Sequence, residues 1–364
     1  MSSALREIFA KARKGEVPGF ARVVHGPRGS GSPQKIRGKE FFFDRATDSW
    51  QMQEIGRSLA GVAPEFVVEL ENCFVNARGA ILGPGMEAIS PSPHAATAGG
   101  NDSSPLIASR ILSGSHVFGL QALTSFGHWL LHRLPLIFSG LSRTETRDVL
   151  VSSSSWEPFS LLAPLGVDPT RVTSLPMHRP DLFFRVESLV LASHAAPPSK
   201  YRIVDWKRLN KMVAAMSAGA APAPRNSPTK VYLTRTEKSG DRSGCQNREL
   251  LERSMSELGF SVIAPEAHSF SEQISILRGA HHVAVEAGSA SLLSIFAPRL
   301  KSLTYLSPQP PYRIVNGTAS YAPWSRATTI LRGAKFRYAR IARTGSFFEW
   351  SADEQLLRDV TENF

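Results

Sequence analysis

An arginine, a glycine–serine turn and a pair of histidines are the residues of this chain best suited to chemistry. Gly288-Ser289-Ala290-Ser291 follows the apolar run His282-Val-Ala-Val285 and precedes a further apolar stretch. Small residues between a strand and a helix leave main-chain N–H groups without partners at the helix start, where the positive helix end also attracts an anion. Arg235 closes an earlier apolar run, Lys230-Val-Tyr-Leu-Thr-Arg235, and Lys238 and Arg242 follow in a Gly/Ser-containing loop. Together they predict a diphosphate site, and so a nucleotide or its sugar conjugate as ligand. Each residue also has a plainer reading. A tight turn needs small residues for packing. An arginine at a strand end can form an interdomain ion pair, and Lys238 and Arg242 can simply be solvated. Glu286 would hold a ribose hydroxyl or a loop N–H. Glu272 and Gln273 would meet the nucleotide base, although Glu272 stands three residues after Ser269 and fits a capping box.

His128 and His132 stand four apart and so share one helix face. A neutral imidazole accepts a proton near physiological pH, which makes either a candidate general base or acceptor contact. The plainer reading packs them beside Trp129. His281 and His282 are adjacent, and neighbours on a strand face opposite ways, so they make a poor metal site. No metal ion is expected. Cys73 and Cys245 are far apart and form neither a zinc pattern nor a disulfide framework, which fits a reducing compartment.

The elements that must position these groups alternate. Lys230–Arg235, Phe260–Ala264 and His282–Val285 read as strands separated by helices, the pattern of a parallel sheet. Ser243 and Gln246 have capping-box spacing, Gly259 and Gly279 stop helices, and Asn247 shapes a helix entry. Upstream, Phe66–Leu70, Cys73–Val75 and Ala80–Leu82 read as strands, with Asn76–Gly79 as a turn. His116–Leu120 comes next. Leu130, Leu134, Ile137, Phe138 and Leu141 have helical spacing, with Pro135 kinking that helix or sitting near its start. Asp148–Val151, Arg171–Thr173 and Phe183–Leu191 read as strands and Trp156–Leu165 as a helix. The Ala/Pro-rich residues around the amphipathic Trp206–Met216 piece suggest an interdomain connection. Residues 26–38 and 90–105 read as loops, Phe41-Phe42-Phe43 as core or a dimer contact, and the chain after Tyr305 as irregular until a helix over Asp353–Val360. The expected domains are 1–205, with 1–110 rich in β and loop; a connection at 206–228; a nucleotide-binding domain at 229–345; and a helix in 346–364 packing back.

With 364 residues, two domains are expected. The formal charge of +11 favours anionic partners, but no nucleic-acid module signature accompanies it, so nucleic acid is not expected. No signal peptide and no membrane-length apolar run are evident. A cytoplasmic protein follows, with peripheral contact to the inner face of the membrane left open.

In order and spacing, Tyr232-Leu-Thr-Arg235, Asn247, Gly259-Phe260, Pro265-Glu266, Glu272-Gln273, Ala280 and Gly288-Ser289-Ala290 followed by Phe296 resemble glycosyltransferase family 61. The upstream His128-Trp-Leu-Leu-His-Arg-Leu-Pro135 is similar to a His-Trp-Leu element of that family. The resemblance spans roughly residues 115 to 306. Departures are Arg248 where relatives have Glu, His132 where an acidic residue often stands, and Ala287 and Leu293 in place of His and Asn.

The resemblance implies a GT-B-like α/β fold, with two Rossmann-like domains facing across a cleft and a small β-rich N-terminal subregion. It implies inverting transfer from a nucleotide-sugar donor to a hydroxyl of a glycan, lipid-linked or protein acceptor, in surface polysaccharide or glycoconjugate synthesis, without a bound metal. The departures motivate a second reading: a catalytically inactive nucleotide-binding or scaffold relative in a polysaccharide-assembly complex.

Overall fold

The computed structural model describes residues 19–25, 38–44, 49–55, 66–90, 106–120, 126–153, 158–179, 181–193, 206–222, 226–235, 244–307, 322–340 and 349–352. The chain divides into two compact units: Met1–Pro33, Gly61–Lys200 and Lys207–Ala215 in the first, and Gln34–Ala60, Tyr201–Trp206 and Met216–Phe364 in the second.

The first unit is built on an eight-stranded sheet. Its strands are β1 (Ala21–His25), β4 (Val67–Asn76), β5 (Ile81–Leu82), β6 (Ala88–Ser90), β7 (Leu106–Gly119), β8 (Asp148–Ser152), β9 (Val172–Leu175) and β10 (Leu182–Ala192). They run in the order β6-β5-β4-β10-β7-β8-β9, and β1 also pairs with β4. The β10-β7-β8-β9 pairs are parallel, while β4 meets β10 antiparallel. Strands β1, β4, β5 and β6 are therefore not a separate β-rich subregion; they extend the same sheet through β4. One strand, β4, covers the two expected at Phe66–Leu70 and Cys73–Val75. The turn at Asn76 is as expected: its Oδ1 accepts N–H groups from Arg78 at 3.1 Å and Ala80 at 2.9 Å, and Gly79 takes a φ of 84°. The expected helix over Trp156–Leu165 is instead two short 3-10 pieces, Pro158–Leu161 and Ala163–Leu165.

A helix links β7 to β8. It starts as α1 (Phe126–His128), widens to a π-helical stretch over Trp129–Arg133 and continues as α2 (Leu134–Arg143). Pro135 is the cause. It has no N–H for the i→i−4 ladder and its ring crowds the carbonyl four residues back. The chain absorbs this by shifting one step, so that Leu134 N–H donates to Trp129 O. Gly140 lets α2 lie close on the sheet: a Cβ there would stand 2.7 Å from Val117 Cγ1 of β7 and 3.5 Å from Val190 Cγ1 of β10.

The second unit has a seven-stranded sheet in the order β13-β11-β14-β15-β16-β2-β3. These are β2 (Gly38–Asp44), β3 (Ser49–Ile55), β11 (Lys230–Leu233), β13 (Ser261–Ile263), β14 (His282–Glu286), β15 (Ser302–Ser307) and β16 (Lys335–Arg340). All neighbours are parallel except β2 with β3. Helix α3 (Trp206–Gly219), most of which is assigned to the first unit, precedes β11; α4 (Arg248–Glu257), α5 (Phe270–Leu277) and α6 (Ala322–Leu331) follow it in the second. One face packs Leu251 and Met255 of α4 on Tyr232, Phe260 and Ala284. On α5, Phe270 meets Phe296 edge-on with ring centroids 5.5 Å apart. Ser269 and Glu272 form the expected capping box.

Three expectations change here. Residues 38–44 and 49–55 complete the C-terminal sheet instead of belonging to an N-terminal domain of 1–205. The chain beyond Tyr305 is not irregular throughout, since α6 and β16 extend the sheet. Helix α4 opens at Asn247 with no side-chain cap. Asn247 instead accepts Ala352 N–H at 2.9 Å and donates Nδ2 to Ala352 O, which ties down the small parallel pair β12 (Gly244–Cys245) and β17 (Glu349–Trp350). Part of 346–364 is thus strand. The helix expected over 353–360 and the loops over 26–37 and 91–105 lie outside the described residues, as does Ser243.

Candidate functional site

Counting from β11 in chain order, the parallel core of the second unit runs 2-1-3-4-5, a doubly wound order whose ligand crevice lies between the first and third strands at their carboxyl ends. Those strands are β11 and β14. Leu233 and Val285 pair across them, so Thr234 and Arg235 leave the sheet beside Glu286, Ala287 and Gly288.

Arg235 and Gly288 meet there. A Cβ on Gly288 would lie 1.9 Å from Arg235 Nη2 and 2.8 Å from its Cζ, so the guanidinium rests on the bare Cα, and Gly288 has a φ of 155° that disfavours any side chain. Among the described residues, no carboxylate lies within ion-pair distance of Arg235. Gly288 precedes a 3-10 helical segment, Ser289–Phe296, and the bend is half-exposed from Ala287 to Ala290. The N–H groups of Ser289 and Ala290 open that segment and have no carbonyl inside it to bond. The Gly288 amide differs from expectation. Its N–H donates to the Tyr305 hydroxyl at 3.2 Å, so Gly288 contributes space for the arginine, while Ser289 and Ala290 contribute donors.

Glu286 faces inward. It is 2 % exposed, accepts the Tyr232 hydroxyl at 3.0 Å and lies 3.8 Å from Arg248 Nη2. Burial raises its pKa, against the pull of Arg248, the Tyr232 hydrogen bond and Arg235. It therefore organises the floor of the site and does not present itself to a ribose. Burial and the neighbouring carboxylate push Tyr232 well above its ordinary value and the Cys245 thiol to about 12.

Glu272 and Gln273 have structural work on α5. Glu272 accepts from Ser269 in the capping box, which holds its pKa below the usual carboxylate value, and Gln273 Nε2 donates to Pro265 O at 2.7 Å and His268 O at 3.0 Å. Lys238 and Arg242 lie outside the described residues. Sequence reasoning did not select Tyr232, Arg248 or Tyr305. The first two lie inside motifs it did quote. Tyr305 becomes visible only once β15 pairs with β14.

In the first unit, His128 and His132 face each other with ring centroids 5.9 Å apart and planes tilted by 43°. Burial lowers the pKa of His128. His132 falls to about 4 through burial, with His128 and Arg133 adding repulsion. Arg133 is lowered to about 10 by burial and lies 5.3 Å from the centre of the Phe118 ring. Among the described residues no group of three or more His, Cys, Asp or Glu is placed to hold a metal ion, and no helix is long and apolar enough to cross a membrane.

The model of the family described as Glycosyltransferase 61 matches residues 126–303, a stretch holding both the histidine pair and the Arg235–Gly288 turn. No curated protein matches. Among solved structures, the bacterial iron-containing dodecameric glycosyltransferase TibC from enterotoxigenic E. coli H10407 is 11% identical, with 82% of each chain covered and a TM-score of 0.27. A structure described as the dodecameric iron-containing heptosyltransferase TibC with ADP-D-beta-D-heptose is 12% identical, with 85% of each chain covered and a TM-score of 0.26.

Proposed function

We propose, for a chain that belongs to glycosyltransferase family 61 through residues 126–303 and is therefore a glycosyltransferase, that its donor is a nucleotide-sugar held by the diphosphate at the Arg235–Gly288 turn. The observation that carries this reading is Arg235. Arg235 is part-exposed, has no carboxylate within ion-pair distance among the described residues, and rests its guanidinium on the one residue type that leaves room for it, at the switch point of a doubly wound sheet.

The reaction needs few groups. The acceptor oxygen attacks the anomeric carbon from the face opposite the diphosphate. The bond to the leaving phosphate oxygen breaks with its electron pair, so the configuration inverts. Charge gathers on the diphosphate, where Arg235 and the N–H groups of Ser289 and Ala290 are fixed donors that need no reorganisation. A base removes the acceptor proton. His128 suits this role better than His132, whose pKa of about 4 makes it a weak proton acceptor. In this reading the enzyme is of the GT-B type, and the acceptor is a hydroxyl of a surface polysaccharide or glycoconjugate.

The test is incubation with a panel of nucleotide sugars and simple glycoside acceptors, following nucleoside diphosphate release and product anomeric configuration by NMR. Release with inversion is expected, with His128→Ala depressing turnover more than donor affinity. Retention of configuration contradicts the mechanism. Nucleotide binding without any release favours the inactive scaffold reading, for which Ala287 and Leu293, in place of the family's His and Asn, speak.

A further inference from the structure

The bend at Gly288 is held from both sides. Gly288 has a φ of 155° and a ψ of −175°, a region essentially confined to glycine, which persists only where neighbouring groups over-determine it. Ahead of the bend, the Gly288 N–H donates to the Tyr305 hydroxyl of β15 at 3.2 Å. Behind it, the Gly288 carbonyl accepts the Ser291 hydroxyl at 2.6 Å and the Ser291 N–H at 3.3 Å. The Ser291 hydroxyl has one proton and gives it to Gly288, so in its 2.6 Å contact with Ser325 Oγ of α6 it accepts. Ser291, Ser325 and Tyr305 are all buried, as are the apolar Leu292, Leu293, Ile295 and Phe296 of the same segment. Two hydroxyls buried together are a poor source of stability, since apolar groups of the same shape serve about as well. They have a purpose if they set the peptide group between Gly288 and Ser289. That peptide is trans, so its carbonyl and its N–H point opposite ways. With the Gly288 carbonyl drawn along the segment to Ser291, the Ser289 N–H points out of the segment's open end. The same glycine carries the Arg235 guanidinium.

We propose that Ser291 and Tyr305 are positioning residues for the donor's diphosphate. Tyr305 fixes the peptide group before Gly288 and Ser291 fixes the one after it, so that the Ser289 N–H meets the phosphate without reorganisation. Neither side chain touches the ligand. The inference rests on the diphosphate reading and adds the groups that hold its main-chain donor in place.

The experiment titrates the full chain with uridine, adenosine, guanosine, cytidine and thymidine diphosphates, by calorimetry and by NMR of protein carrying isotopically labelled serine. Loss of a signal in Ser289→Ala identifies the Ser289 amide. In the wild type that amide proton should move downfield at saturation, as a donor to phosphate does. Ser291→Ala should weaken diphosphate binding by about three- to tenfold, the scale of one hydrogen bond, and shrink the shift at saturation. Ser294→Ala removes a buried hydroxyl of the same segment, which donates to Ser291 O at 2.8 Å. It should lower the melting temperature by a similar amount and leave affinity and shift as in the wild type. Tyr305→Phe keeps the ring stacked on Tyr338 and should weaken binding on the same scale, so it decides the matter if Ser291→Ala does not fold. Wild-type affinity in folded Ser291→Ala or Tyr305→Phe while Arg235→Ala loses affinity, or an equal loss in Ser294→Ala, overturns the positioning role and leaves the diphosphate site standing. Failure of the wild-type chain to bind any of these diphosphates overturns both.

Discussion

His128 and His132 share a helix face but differ in what surrounds them. His132 is the more strongly perturbed, from an ordinary 6.5 to about 4, with burial as the main cause. Between those values the unfolded chain binds a proton that the folded chain does not, so stability rises with pH across that window. The contribution is fully present above pH 6.5 and is lost as pH falls toward 4. Replacing His132 with Phe should flatten the dependence of the urea midpoint on pH between these limits. An unchanged slope would mean that the buried imidazole does not titrate as described. At this scale the sequence was informative about residue type but not about commitment. Arg235 and Gly288 were both visible as candidates, but not that the guanidinium of one packs on the Cα of the other. Glu286 was visible too, but nothing in its neighbours along the chain revealed that it faces Tyr232 and Arg248. Glu272 shows the reverse: its capping-box spacing was local, and so the structural role could be read directly.

The helix from Phe126 to Arg143 shows how one residue reshapes an element. Helical spacing placed its apolar face correctly, but the π-helical turn arises because Pro135 removes an N–H from the ladder, and the sequence alone does not say whether a kink or a widened turn results. Packing then depends on Gly140. An alanine there would bring its Cβ to 2.7 Å from Val117 Cγ1, so the helix or the strand must shift. Gly140→Ala should destabilise the protein by about 1–3 kcal/mol, the usual cost of overpacking a core and larger than the propensity gain of about 1 kcal/mol from replacing a helical glycine. Urea denaturation checks this; a variant as stable as the wild type would show that the interface has slack. Strands β11, β13 and β14 were legible because their apolar runs are continuous, as buried parallel strands require, whereas β12 and β15 were not read as strands. Helix α6 and strand β16 were missed because Pro- and Gly-containing residues precede them and mask the return of periodicity.

For the whole molecule, the least legible feature is that residues 38–44 and 49–55 cross into the C-terminal sheet. No local pattern marks which sheet a strand will join, because pairing partners are set by register and contacts far along the chain. The Phe41-Phe42-Phe43 run signalled burial but not its address. The parallel core from β13 to β16 sets the carboxyl ends of β11 and β14 side by side, and the account of function stands on what that edge holds. Its most direct test is the thermal stability and calorimetric affinity of the full chain with nucleoside diphosphates, wild type against Arg235→Ala. Saturating nucleotide should stabilise the wild type by mass action, by about 2.7 kcal/mol at a hundredfold excess over Kd. Arg235→Ala should keep its unliganded melting temperature and lose most of that stabilisation. Equal stabilisation of both proteins by nucleotide would contradict the account, because the anion would then be held somewhere other than the Arg235–Gly288 turn.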